Sequence, residues 1–150
     1  MAIQVGDLAP DFSLPDQNGE AVSLSSFRGQ PVVLYFYPKD DTPGCTAEAC
    51  AFRDQYSVFQ EAGAVVIGVS GDSVAEHRKF ASKYSLPFRL VSDQGNQLRK
   101  SYGVPNALLL IPGRVTYVID REGVVRNIFN SMMDFAAHVS AARQTIASLG

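Results

Sequence analysis

Two cysteines, Cys45 and Cys50, stand five positions apart in the segment TPGCTAEAC, and they are the only thiols in the chain. A cysteine attacks an electrophile or binds a metal as its thiolate, and an unperturbed thiol of pKa near ~8.5 is only a few per cent thiolate at pH 7. A useful nucleophile must therefore lower that value. A helix N-terminus does so, because its unpaired N–H groups and its dipole favour an anion. Cys45 is written into such a terminus. Thr42 is a good N-cap, Pro43 suits the first helical position, and Gly44 lets another group approach the backbone. Cys45 then occupies the first turn. Cys45, Ala49, Phe52, Tyr56 and Phe59 recur at spacings of four, three, four and three, one face of one helix. The thiol thus lies at the inner edge of a core-like stripe, near the strand end at Tyr37–Pro38. Clefts at the carboxyl ends of strands are common active-site positions in α/β sheets. Cap and stripe fit a buried structural cysteine equally well.

The second thiol narrows the choice. On an intact helix a five-residue step rises roughly 7.5 Å and turns about 140°, which separates the Cα atoms by roughly 8.6 Å. A disulfide needs them within about 7 Å. The pair can bond only if the first turns of the helix unwind, which is costly for a structural staple and useful for a redox switch. Helical phase places Cys50 beside Arg53, Asp54 and Ser57, on a more polar side, where it also reads as an ordinary small residue. Two thiols leave three readings: redox chemistry, half of a metal site, or coincidence. His77 and His138 are the only histidines, and neither has finger-like spacing from the cysteines. Both fall in expected helices and read as surface or partly buried side chains.

The elements that must position Cys45 are legible as alternating patterns. Residues 12–24 alternate around Asn18–Gly19, a hairpin signal, and residues 25–29 form a short capped turn. Residues 31–37 are a continuous apolar run bounded by prolines, suited to a central buried strand. After the loop 38–44 the pattern predicts a helix over 43–62 closed by Gly63, a strand over 64–70, a helix over 73–84 and a strand over 88–91. A short helix over 94–102, strands over 114–119 and 124–129 around the turn 120–123, and a helix over 134–148 complete the chain. Strands alternating with helices imply an α/β sandwich with a partly parallel sheet, its two late strands pairing antiparallel at one side. With 150 residues and no repeat or linker, one domain spanning 1–150 is expected.

Composition excludes several classes. Hydrophobic residues make up 46% and net charge is only −2, which argues against disorder and gives no basic patch for nucleic acid. The apolar stretches 32–37 and 107–111 are far too short to span a bilayer. The N-terminus MAIQVGDLAPDF shows no basic stretch followed by an apolar run, so a cytoplasmic protein is expected, or an organellar stromal one had a transit peptide been removed.

The run Pro38-Lys-Asp-Asp-Thr42-Pro-Gly-Cys45 fits the P-x-x-x-T-x-x-C signature of peroxiredoxins, and with Thr46, Glu48 and Cys50 it resembles their peroxiredoxin Q (bacterioferritin comigratory protein) branch. The resemblance extends over almost the whole chain. GDLAPDFSLPDQNGEAVSLSSFRG looks like the family's first strands, PGRVTYVIDREGVV like the hairpin that carries its arginine, and YGVPNALLLIPGR is closest to plant and cyanobacterial members.

The resemblance implies a thioredoxin-like fold and a thiol-dependent reduction of hydrogen peroxide and organic hydroperoxides, with no metal, haem or flavin cofactor. It implies Cys45 as the peroxidatic cysteine and Cys50 as the resolving one. Thr42 would hydrogen-bond thiolate and peroxide, and Arg114 would stabilise the thiolate and polarise the O–O bond. Pro38 would shield the thiolate and Glu48 would orient Arg114. Each role has a physical reason: negative charge grows on the leaving oxygen, and donors aimed there lower the barrier. Taken alone, Thr42 is also a plain cap, Pro38 a strand end, Glu48 a dipole partner and Arg114 a surface arginine. The implied partners are a hydroperoxide and thioredoxin or a similar dithiol. With both cysteines on one chain, a monomer suffices. Lys39, Asp40 and Asp41 read either as shaping substrate access or as a solvated loop, and Leu108 to Ile111 as an apolar lining for alkyl or lipid peroxides. A dithiol–disulfide reductase and a non-catalytic binding module on the same fold are the competing readings.

Overall fold

The structure is a computed structural model that describes residues 2–106 and 111–149. A short antiparallel hairpin, β1 (Ser13–Pro15) and β2 (Ala21–Ser23), leads through a 3-10 turn at Leu24–Phe27 into the sheet strand β3 (Val32–Phe36). Then follow α1 (Pro43–Asp54), α2 (Tyr56–Glu61), β4 (Val65–Ser70), α3 (Val74–Tyr84), β5 (Arg89–Ser92) and α4 (Gln97–Tyr102). Strands β6 (Val115–Ile119) and β7 (Val125–Asn130) and helix α5 (Phe135–Ser148) close the chain. The sheet order is β5-β4-β3-β6-β7, with β4 parallel to β3 and β5, and β6 antiparallel to β3 and β7. The expected hairpin, the α/β class and the antiparallel late pair are all present.

Every residue of β3 is buried, and its alternation divides the core. Val33, Tyr35 and Tyr37 pack with Cys45, Phe52, Phe59, Phe80 and Val139 on the face that carries α1, α2, α3 and α5. Val32, Leu34 and Phe36 pack with Leu98, Tyr102 and Tyr117 on the other. Each large side chain so buried contributes roughly 1.5–3 kcal/mol. Gly68 in β4 is obligatory: a Cβ there would meet the Tyr35 ring at 2.8 Å and Leu90 at 2.9 Å.

Strand direction assembles the site. Antiparallel pairing sets Phe36 opposite Val115, so Arg114, the residue before β6, lies at the edge where β3 ends and the loop 38–42 begins. The parallel strands β4 and β5 end at that same edge, bringing Asp72 and Asp93 to it.

Three expectations need correction. The helix expected over 43–62 is two helices, broken at Gln55 (φ −105°, ψ 7°) because α1 docks on α5 while α2 turns to pack on β4 as well. The Cys45–Phe59 stripe still faces the core across the break, with Tyr56 partly buried. The helix expected over 94–102 starts only at Gln97, since Asn96 is left-handed (φ 58°) and the Asp93 carboxylate accepts the N–H groups of Leu98 and Arg99. His77 and His138 are not surface residues: both are fully buried, each with both ring nitrogens bonded. Residues 108–110 of the expected apolar lining lie outside the described residues, while Ile111 is exposed. No described helix is long and apolar enough to cross a membrane.

Candidate active site

Cys45 lies in the first turn of α1, with Thr42 as N-cap and Pro43 opening the helix, and it is buried. Arg114 reaches it from the start of β6: Nη2 donates to Cys45 Sγ at 3.4 Å and Nη1 to Glu48 Oε1 at 2.7 Å. Nε donates to the Met132 carbonyl at 3.1 Å, and the guanidinium lies over the Phe135 ring, 4.9 Å from its centroid. The arginine is thus fixed on three sides, only 3% exposed, with one edge turned to the sulfur. Gly44 makes the approach possible. A Cβ there would stand 2.9 Å from Phe135 and 3.1 Å from Arg114 Nη2.

Charge at this cluster is unusual. Burial pushes the Glu48 carboxyl up to about 7, against the opposing pull of Arg114. Burial works against the Arg114 charge, but Glu48 and Cys45 outweigh it and hold its pKa above the ordinary arginine value. Behind Glu48 stands His138. Its Nε2 donates to the Ser131 carbonyl at 2.7 Å, since a carbonyl can only accept, and its Nδ1 accepts from the Thr116 hydroxyl at 2.7 Å. Burial lowers the imidazole's pKa and keeps the ring neutral. Nδ1 lies 3.5 Å from Glu48 Oε2, yet a neutral ring makes no ion pair, and among the described residues Oε2 has no hydrogen-bond partner. An unpartnered buried oxygen accords with a carboxyl that resists ionisation.

The loop before α1 is bound more tightly than a solvated loop. The Asp40 carboxylate accepts the Tyr37 hydroxyl at 2.5 Å and pairs with His77 Nδ1 at 2.6 Å, while His77 Nε2 donates to the Val91 carbonyl at 3.0 Å. The Asp40 N–H donates to Asp72 Oδ2 at 2.8 Å. Asp41, left-handed at φ 56°, is held by Lys83 Nζ at 2.9 Å and by the Tyr84 hydroxyl at 3.0 Å. Asp40, Asp72 and His77 also bring metal-ligand atoms within 4.8 Å of one another. Those atoms are already hydrogen-bonded to protein groups: Asp40 Oδ2 to His77, and Asp72 Oδ2 to the Ser70 hydroxyl and the Asp40 N–H.

Cys45, Glu48 and Arg114 therefore meet directly. Thr42 departs from the expected detail: its hydroxyl donates to the Lys39 carbonyl at 2.9 Å and makes no cap bond to α1. Pro38 is half-buried at the end of β3, beside the Tyr37 carbonyl. Cys50 lies on α1, partly exposed, and both cysteines are free thiols. The intact helix expected between them is present. Sequence reading did not single out Arg99 or Thr116, set His77 and His138 at the surface or partly buried, and left Asp40 open between shaping access and a solvated loop.

Comparison with known proteins agrees with this fold. The AhpC/TSA family matches residues 5–128. Chloroplastic peroxiredoxin Q of Oryza sativa subsp. japonica is 53% identical over 148 residues, covering 98% of this chain and 68% of the rice protein. The crystal structure of peroxidoxin BcpB from Mycobacterium tuberculosis superposes with a TM-score of 0.92 at 38% identity over 99% of both chains. Bacterioferritin comigratory protein from Xanthomonas campestris, described for its alkyl peroxide reduction activity, superposes with a TM-score of 0.84 at 33% identity, over 91% of this chain and 90% of the other. The chain belongs to the AhpC/TSA family, among the peroxiredoxin Q thiol-dependent peroxidases.

Proposed function

We propose that Cys45 is the peroxidatic nucleophile and Cys50 the resolving thiol of a thioredoxin-dependent peroxidase contained in one domain over residues 1–150. The observation that carries this reading is the Arg114 guanidinium, which donates at once to Cys45 Sγ and to Glu48. The thiolate attacks the terminal oxygen of a hydroperoxide. An S–O bond forms as the O–O bond breaks, the sulfur is oxidised to a sulfenic acid, and the leaving oxygen takes a proton to depart as water or an alcohol. Arg114 and the backbone N–H groups of the first turn receive the developing charge. Thr42, whose own proton is committed to the Lys39 carbonyl, offers lone pairs to the O–H of the incoming hydroperoxide. Pro38 limits water at the sulfur.

Resolution follows. The first turns of α1 unwind, the Cys50 sulfur attacks the sulfenic acid, water leaves and an intramolecular disulfide forms. Thioredoxin or a similar dithiol reduces it by exchange. Hydrogen peroxide and organic hydroperoxides are the proposed substrates, and a monomer completes the cycle. We place the protein in a reducing compartment, the cytoplasm, or the stroma for a chain imported as its chloroplastic relatives are.

The test is intact-mass analysis after one equivalent of peroxide, with and without thiol trapping. Loss of two hydrogens and of both trappable thiols is expected. A persistent sulfenic acid beside a free Cys50 would overturn the resolving role. Stopped-flow oxidation by hydrogen peroxide no faster than that of a free thiol at the same pH would instead favour a dithiol–disulfide reductase.

A further inference from the structure

We propose that Arg99 is a positioning residue for peroxide reduction, a guanidinium fork that fixes the gap between the two chain segments bearing the reactive groups. The inference rests on the reading of Cys45 and Arg114 as the reacting pair. Arg99 sits in the short helix α4, is 5% exposed, and belongs to none of the sequence motifs. Its Nη2 donates to the Tyr37 carbonyl at 2.7 Å and its Nη1 to the Gly113 carbonyl at 2.8 Å. Tyr37 immediately precedes Pro38 and the loop to Thr42 and Cys45, and Gly113 immediately precedes Arg114. One planar group therefore sets the spacing between the nucleophile's loop and the arginine that faces it.

Arginine suits this task because its donors are held in a rigid fork and its charge is permanent, whereas lysine is a single point on a flexible stem. The side chain is seated from below. Asp93 at the end of β5 accepts the N–H groups of Leu98 and Arg99, each at 3.0 Å, and the Phe36 ring lies under the guanidinium at 5.8 Å. Among the described residues no carboxylate forms an ion pair with Arg99. Burial lowers its pKa, opposed by three groups that face it: Asp93 from the end of β5, Cys45 from α1 and Tyr117 from β6. A cation kept in such a place is costly, and a thiolate at Cys45 is one of the few charges that offset it. Arg99 thus complements Arg114, which touches the sulfur while Arg99 holds the frame and adds positive potential.

The test compares Arg99→Gln and Arg99→Lys in the full chain by stopped-flow oxidation with hydrogen peroxide across neutral pH, alongside thermal melts. Loss of charge and fork together in Arg99→Gln should slow oxidation by roughly 10- to 100-fold and move the pH–rate profile to higher pH. Arg99→Lys should return the profile towards the parent, because the charge remains, while the rate stays low, because two carbonyls are no longer bridged in one plane. A folded Arg99→Gln with parental rate and profile would overturn the proposal, as would a lysine variant that restores both. Should Arg99→Gln not fold, the lysine variant decides alone, a parental rate overturning the fork. Arg114→Lys is measured beside them. A parental rate there overturns the site reading itself and this inference with it. A slow Arg114→Lys with parental Arg99 variants overturns this inference only.

Discussion

The two sides of helix α1 are built for opposite tasks. On the inner side Cys45, Glu48, Ala49 and Phe52 are all buried, and the sulfur is faced by an arginine bonded to a carboxylate, a carbonyl and an aromatic ring. On the outer side Cys50 and Arg53 are only partly buried, and the ties are surface ones: Arg53 Nη1 to the Tyr84 carbonyl at 2.8 Å, and Asp41 to Lys83 and Tyr84. Attack on a peroxide needs the fixed side, because preorganised charge lowers the barrier only where nothing has to rearrange. Disulfide formation needs the loose side, because five helical residues hold the thiols too far apart. The largest break in the comparison is at the sulfurs themselves. Cys45→Ser should abolish peroxide consumption. Cys50→Ser should allow one oxidation per chain and then stall in a thioredoxin-coupled NADPH assay. Undiminished steady turnover in Cys50→Ser would show that the outer side takes no part.

The next break is on the inner side. Gly44→Ala puts a methyl group against the Phe135 ring and Arg114 Nη2, the latter on a guanidinium held by Glu48 and the Met132 carbonyl. The helix should still form, since alanine favours it, but the guanidinium must shift from Cys45. A displacement of that kind costs roughly 10- to 100-fold in oxidation rate, with the Cys50 step unaffected once a sulfenic acid exists. Single-turnover kinetics separate the two steps, and equal slowing of both would mean that the whole helix, not Arg114, had moved.

The buried polar groups packed around the inner side were the less legible part of the sequence. Thr42, Pro43 and Cys45 could be read because a helix start is a local event, written in adjacent residues. The five sheet strands and the stripe from Cys45 to Phe59 could be read because period two and period 3.6 are local as well. The burial of Arg99, His77, His138 and Asp40 could not, because a buried polar side chain is defined by partners far along the chain: Gly113 and Tyr37 for Arg99, Asp40 and Val91 for His77, Thr116 and Ser131 for His138. Isolated polar residues in helical patterns default to the surface, and only the sheet order that brings the ends of β3, β4, β5 and the start of β6 to one edge reverses that default. The break at Gln55 has the same origin, since α2 packs on β4 as well as on the α5 that α1 docks against.

A smaller effect separates the charge of the inner side from its shape. The Glu48 carboxyl stands at about 7 in the fold against an ordinary 4.5. Between those values the folded chain keeps a proton that the unfolded chain releases. Stability from this group is therefore complete below about 4.5 and is lost as pH rises towards 7, with nothing further lost above. The amount is a few kcal/mol at most. Glu48→Gln keeps the shape without the charge and should flatten that slope in thermal midpoints measured from pH 4 to 8, about the window in which Glu48 titrates. Parallel curves for parent and variant would mean that Glu48 is ionised throughout and that Arg114 never carries its charge to Cys45 undivided.

The smallest expected effect lies at the outer hinge. The end of α3 grips α1 at two places, Asp41 just before its N-cap and Arg53 near its far end, and Cys50 lies between them. Unwinding that carries Cys45 and Cys50 together must strain one grip, and the Asp41 pair with Lys83 is the exposed one, with side chains 46% and 58% accessible. Asp41→Asn isolates its contribution, because asparagine tolerates the left-handed backbone at φ 56° as readily as aspartate does. The charge is lost and the turn is kept. An exposed pair is weak, so disulfide formation should quicken by only roughly two- to fivefold, with oxidation of Cys45 unchanged because Asp40 and its buried partners remain. Added salt should speed the parent in the same way by screening the pair and leave the variant alone. If salt acts equally on both, the grip that yields is at Arg53, and the unwinding starts from the far end of the helix rather than from Thr42.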